Sequence, residues 1–113
     1  MIVVAYGTAS RIARSAIDDL RERGFRIGLF RPITLWPFPK AALREVAKPD
    51  CSVAVFELCQ GQMVEDVALS VNRHDEIHFL GVPGGGIPTP DDVTEFLESV
   101  VENNGRVGRR IAI

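Results

Sequence analysis

Glu57 is where chemistry would first be sought in this sequence. It follows an apolar stretch and opens the polar turn Glu57-Leu58-Cys59-Gln60-Gly61, a setting in which a carboxylate can act as acid, base or ligand. Hydrolysis by paired carboxylates needs a second acid at a set separation, and Glu57 has no obvious partner. The commoner role for a lone carboxylate is to hold loop amides or a neighbouring arginine. His74 and His78 are four residues apart, a spacing that would put two side chains on one helix face. Here the pair straddles a turn and a strand, and no cysteine or acidic cluster completes a metal set. Nothing beside a serine or cysteine marks an activated nucleophile, so Ser-His-Asp and Cys-His catalysis have no support.

Phosphate chemistry is next. Gly84-Gly85-Gly86 invites a phosphate-loop reading, but the chain has neither GxxxxGK[ST] nor a GxGxxG after its first strand. Pro88 and Pro90 remove amide donors, and Asp91 and Asp92 stand at a helix start, where they suit the macrodipole and repel an anion. The triple glycine reads better as a hinge or contact loop. Gly7, Thr8, Ser10 and Arg11, at the start of the first helix, form a better anion site, although ordinary capping accounts for the same residues.

These residues must be positioned by regular elements. Ile2 to Tyr6, Ile27 to Phe30, Ser52 to Phe56 and Ile77 to Leu80 are short apolar runs that read as strands. Between them lie helical patterns. The first carries Ile12, Ala13, Ala16, Ile17 and Leu20 on one face, sets Arg14 one turn from Asp18 on the other side, and stops at Gly24. A short second helix from Pro39 to about Lys48 carries Leu43 and Val46. The third carries Met63, Val64, Val67, Ala68 and Val71. The fourth starts at Thr89-Pro90-Asp91-Asp92, carries Val93, Phe96, Leu97, Val100 and Val101, and stops at Gly105.

Alternating strands and helices with wholly apolar strands imply a three-layer α/β/α fold around a mostly parallel, doubly wound sheet of order 2-1-3-4. Residues 1–113 read as a single domain, with 105–113 either an edge strand or a disordered tail. In such a sheet a crevice opens where the winding reverses. That places Gly7, Thr8, Ser10, Glu57, Gln60, Gly61 and Gln62 at the candidate crevice. Trp36, Pro37 and Phe38 form a stiff aromatic–proline segment. It reads either as a preorganised contact surface or as rings folded back over the domain's own core.

Composition narrows the classes. The net charge is −2 and both signs are interspersed along the chain, unlike the basic stripe of a nucleic-acid or membrane-surface binder. Arg106, Arg109 and Arg110 read as a solvated tail. No apolar run reaches the ~20 residues of a membrane span. No secretory leader is read in Met1-Ile2-Val3-Val4-Ala5, and a strand opening at residue 2 suggests chain removed upstream. Two cysteines, Cys51 and Cys59, make no disulfide framework and suit a reducing cytoplasm.

Longer strings carry a resemblance. Val4-Ala5-Tyr6-Gly7-Thr8-Ala9-Ser10-Arg11-Ile12-Ala13 and Gly28-Leu29-Phe30-Arg31-Pro32-Ile33-Thr34-Leu35-Trp36-Pro37-Phe38-Pro39 resemble the C-terminal domain of 2-oxoacid:ferredoxin oxidoreductase alpha-type subunits. Glu57 followed by Gly61-Gln62 fits the same pattern. Gly61-Gln62-Met63-Val64-Glu65-Asp66-Val67 and Gly85-Gly86-Ile87-Pro88-Thr89-Pro90 resemble the 2-ketoisovalerate (branched-chain) subgroup in particular. Cys59 departs from the pattern, standing where relatives often have asparagine.

The resemblance implies a transketolase C-terminal-like fold and a non-catalytic structural and assembly role. The whole enzyme would convert a 2-oxoacid and CoA to acyl-CoA and CO2 and reduce ferredoxin. Thiamine diphosphate, Mg and iron–sulfur clusters would sit elsewhere in the complex, so no cofactor and no metal is expected in this domain. The implied partners are the other domains and subunits, with ferredoxin and CoA for the full complex. The alternative is a free-standing flavodoxin-like module that binds a small ligand or a regulator in the crevice near Glu57.

Overall fold

A computed structural model describes residues 1–33, 38–47, 51–58, 63–71, 77–81, 88–103 and 109–111. Five strands, β1 (Ile2–Val4), β2 (Gly28–Phe30), β3 (Val53–Glu57), β4 (Ile77–Gly81) and β5 (Arg109–Ile111), form one sheet. Their order is β2-β1-β3-β4-β5, and every neighbouring pair runs parallel. The four helices are α1 (Gly7–Glu22), α2 (Lys40–Val46), α3 (Val64–Val71) and α4 (Pro90–Asn103). The expected order 2-1-3-4 therefore holds, and Arg109–Ile111 add a fifth strand at the edge.

The sheet is buried on both faces because successive strand residues alternate between two cores. Val3, Ala5, Ala54, Phe56 and Leu80 pack with α1 and α4. Val4, Val53, Val55, Ile77 and Phe79 pack with α2 and α3. This gives the three layers. The helical faces are largely as the periodicity predicts, with two corrections. Val46 and Val101 are 47% and 40% exposed. Val46 is the last residue of α2, and Ala47 just beyond it is buried in its place. Val101 lies at the edge of the apolar stripe of α4, next to the buried Val100.

Helix ends show where local chemistry sets the boundaries. α1 starts at Gly7, with Tyr6 as N-cap and no side-chain cap, so neither Thr8 nor Ser10 serves in that role. Gly7 has φ +58°, which lets the chain leave β1 and enter the helix almost at once. The Ser10 hydroxyl instead donates to the Gly7 carbonyl at 2.6 Å. At the far end Gly24 has φ +94°. Its amide donates to Arg21 O and that of Phe25 to Leu20 O, both at 3.0 Å. These two bonds are the Schellman pattern. α4 opens with a reciprocal cap: the Thr89 amide donates to Asp92 Oδ2 at 2.8 Å, and the Asp92 amide to Thr89 Oγ1 at 3.2 Å. α1 and α4 are tied at the surface by Arg23, whose Nη2 donates to Glu98 Oε1 at 2.6 Å, a bond that raises the Arg23 pKa.

Candidate functional site

The winding reverses between β1 and β3, which lie side by side with Val4 opposite Val55. Glu57 is the last residue of β3 and has no solvent exposure. Strand alternation turns Phe56 to the α1 and α4 layer and Glu57 to the α2 and α3 layer. There Glu57 Oε1 accepts the Met63 amide at 2.7 Å and Oε2 accepts the Val64 amide at 3.0 Å. The carboxylate caps α3 from the preceding strand, meeting donors that a helix N-terminus otherwise leaves unpaired. Of the two structural roles open to it in the sequence, Glu57 takes the loop amides.

Gly7 and Thr8 are exposed at the start of α1, and Ser10 is buried there. Ser10 belongs to the α1 layer, while the Glu57 carboxylate is turned to the α3 side of the sheet, where it holds Met63 and Val64. Gln60, Gly61 and Gln62 lie outside the described residues, as do Trp36 and Pro37. Phe38 takes the inward alternative: it is 8% exposed and packs with Val4, Leu43 and Phe79. Five residues earlier in the chain, Ile33 is 91% exposed.

His78 is buried on β4, opposite Ala54. Loss of solvent pushes its pKa below the ordinary histidine value. His74 lies outside the described residues. Among the described residues no group of three or more His, Cys, Asp or Glu side chains is arranged to hold a metal ion. No described helix is long and apolar enough to cross a membrane.

One concave feature shares Ser10 and Arg11, but not Gly7 or Thr8, with the anion site expected from the sequence. Ser10, Arg11 and Arg14 of α1, with Leu29 of β2 and Arg31 just beyond it, line a groove of about 250 Å³. The sequence signal was present in part: Arg11 and Arg14 are three residues apart on a helix, and Arg31 follows Leu29 by one strand period. Only the packing of α1 beside β2 brings the two sets together.

The parallel sheet, its order and the capped β3–α3 junction define the architecture against which known proteins can be compared. Residues 1–93 match the family of pyruvate:ferredoxin oxidoreductase core domain II. The chain belongs to this family. Among curated proteins, ketoisovalerate oxidoreductase subunit VorB of Methanothermobacter thermautotrophicus is 39% identical over 100 residues, covering 88% of this chain and 28% of that protein. The 2-oxoglutarate synthase subunit KorA of Archaeoglobus fulgidus is 37% identical over 99 residues, 87% of this chain and 28% of KorA. The pyruvate synthase subunit PorA of M. thermautotrophicus is 24% identical over 102 residues, 86% of this chain and 27% of PorA. This core domain II chain thus spans between a quarter and a third of each of these subunits.

Proposed function

We propose that this core domain II chain is an assembly domain, without a catalytic residue of its own, of a cytoplasmic 2-oxoacid:ferredoxin oxidoreductase that acts on 2-ketoisovalerate. The observation that carries the reading is Glu57. The buried carboxylate at the switch point holds the backbone amides of Met63 and Val64 at the start of α3, a structural task. The similarity to VorB at 39% identity supports the substrate. In this reading the whole enzyme joins a 2-oxoacid to CoA with loss of CO2 and passes electrons to ferredoxin. Thiamine diphosphate, magnesium and iron–sulfur clusters sit on other polypeptide, and no step of the chemistry runs through this chain.

The direct test is to assay the purified chain for dye reduction dependent on a 2-oxoacid and CoA. None is expected, whereas the complete complex is active and prefers 2-ketoisovalerate to 2-oxoglutarate and pyruvate. Turnover by the chain alone would refute the assembly reading, and a complex that prefers another oxoacid would refute the substrate. The exposed Ile33, three residues before Trp36 in the sequence, supports a contact surface. Trp36→Ala is then expected to leave the chain folded and weaken its association with partner subunits in a pull-down.

A further inference from the structure

We propose that the groove between α1 and the edge strand β2 binds a phosphate-bearing anion through Arg11, Arg14 and Arg31. The groove is lined by these three arginines together with Ser10 and Leu29. Each arginine is exposed, and among the described residues no carboxylate pairs with any of them. On a chain of net charge −2, three guanidinium groups around one groove repel each other unless an anion lies between them. Guanidinium forks suit the oxygens of phosphate, which they can meet with paired hydrogen bonds.

The lining also limits what is recognised. Ser10 uses its hydroxyl hydrogen on the Gly7 carbonyl at 2.6 Å, so the arginines are the donors facing the groove. Among the described residues, Leu29 is the one apolar side chain in the lining and no aromatic ring lines the groove. The recognised part is therefore the phosphate group, whether free or carried by a larger molecule. The absence of acidic residues from the first turn of α1 leaves nothing there to oppose a bound anion. This inference does not depend on the oxidoreductase reading, because binding is measured on the chain itself.

The test is a titration of the full 113-residue chain with inorganic pyrophosphate, and separately with adenosine diphosphate, at low ionic strength. It is followed by the backbone amide and arginine Nε–H signals in nitrogen-15 NMR spectra. Saturable shifts are expected at Arg11, Arg14, Arg31 and Leu29, with the two ligands agreeing within a few-fold. Added salt should weaken both. Arg11→Gln and Arg31→Gln should each lower the affinity about tenfold or more, equivalent to about 1.4 kcal/mol. Arg26→Gln, at the opposite end of β2, should leave it unchanged. The site is disproved by an absence of saturable shifts, by an equal loss in Arg26→Gln, or by binding of adenosine diphosphate without binding of pyrophosphate. Melting of each variant at the temperature of the parent separates lost binding from lost folding.

Discussion

A buried carboxylate with both oxygens accepting backbone amides is costly to alter, because any substitution leaves donors unpaired without water. In Glu57→Gln the side chain keeps its shape, but one oxygen becomes an NH2 group that faces the Met63 or Val64 amide. The loss should be about 2 kcal/mol, within the range for a buried donor left without its charged acceptor. Chemical denaturation would show it. Hydrogen exchange should locate the damage at the first turn of α3, and a variant as stable as the parent would mean that the cap carries little. Gly7 poses a simpler problem. A methyl group there would meet nothing within 4 Å, yet φ is +58°. Gly7→Ala is thus expected to cost about 1 kcal/mol through backbone conformation alone. Glu57 itself shows what a single position can reveal. Its isolation among carboxylates was readable, but the donors it would serve were not, because Met63 and Val64 look like any core residues of a helix. Nor does a sequence show that Arg31 will settle beside Arg11 and Arg14.

At the level of elements, three helix ends are held by three different devices. α1 ends in a Schellman turn at Gly24, α3 borrows its cap from β3, and α4 carries its own reciprocal cap at Thr89 and Asp92. α2 and α3 are joined by Arg44, whose Nε donates to the Ser70 carbonyl at 2.9 Å. That bond engages a carbonyl in the last turn of α3, where a cation is favoured. Removing the hydroxyl in Thr89→Ala should cost about 1 kcal/mol, the usual value for an N-cap, and thermal or urea melting would measure it. An unchanged midpoint would show that Pro90 and the Asp92 carboxylate suffice to start the helix. The α4 start could be read from Thr89-Pro90-Asp91-Asp92 because every device there is local. The start of α1 could not, since the hydroxyls of Thr8 and Ser10 advertise a cap that does not form: Tyr6 holds the N-cap position and Ser10 donates to Gly7 O. Val46 and Val101 mislead for a related reason: helical periodicity marks a stripe but not its edges, and neighbours from other elements decide which apolar residue is covered.

Across the molecule, strand alternation assigns every buried side chain to one of two cores, which is why five short parallel strands can hold four helices. The strand order followed from handed crossovers and needed no contact information, whereas the amides that Glu57 holds required the folded chain. His78 is buried in this largely apolar interior, as are Ser10, Glu57 and Ser70, and it makes global stability depend on pH. Burial lowers its folded pKa from the ordinary value of 6.5, so the folded state binds a proton less readily than the unfolded chain does. Above that value the ring is neutral in both states and its titration contributes nothing. As the pH falls below about 6.5, the unfolded chain takes up the proton first and stability declines by at most about 1.4 kcal/mol per pH unit. The decline stops once the pH is below the folded pKa and both states are charged. In His78→Gln this component is gone. Urea denaturation of both proteins between neutral pH and the onset of acid unfolding should therefore give a steeper loss for the parent than for the variant. Parallel curves would mean that the folded protein protonates His78 as easily as the unfolded chain does, by opening β4 to water.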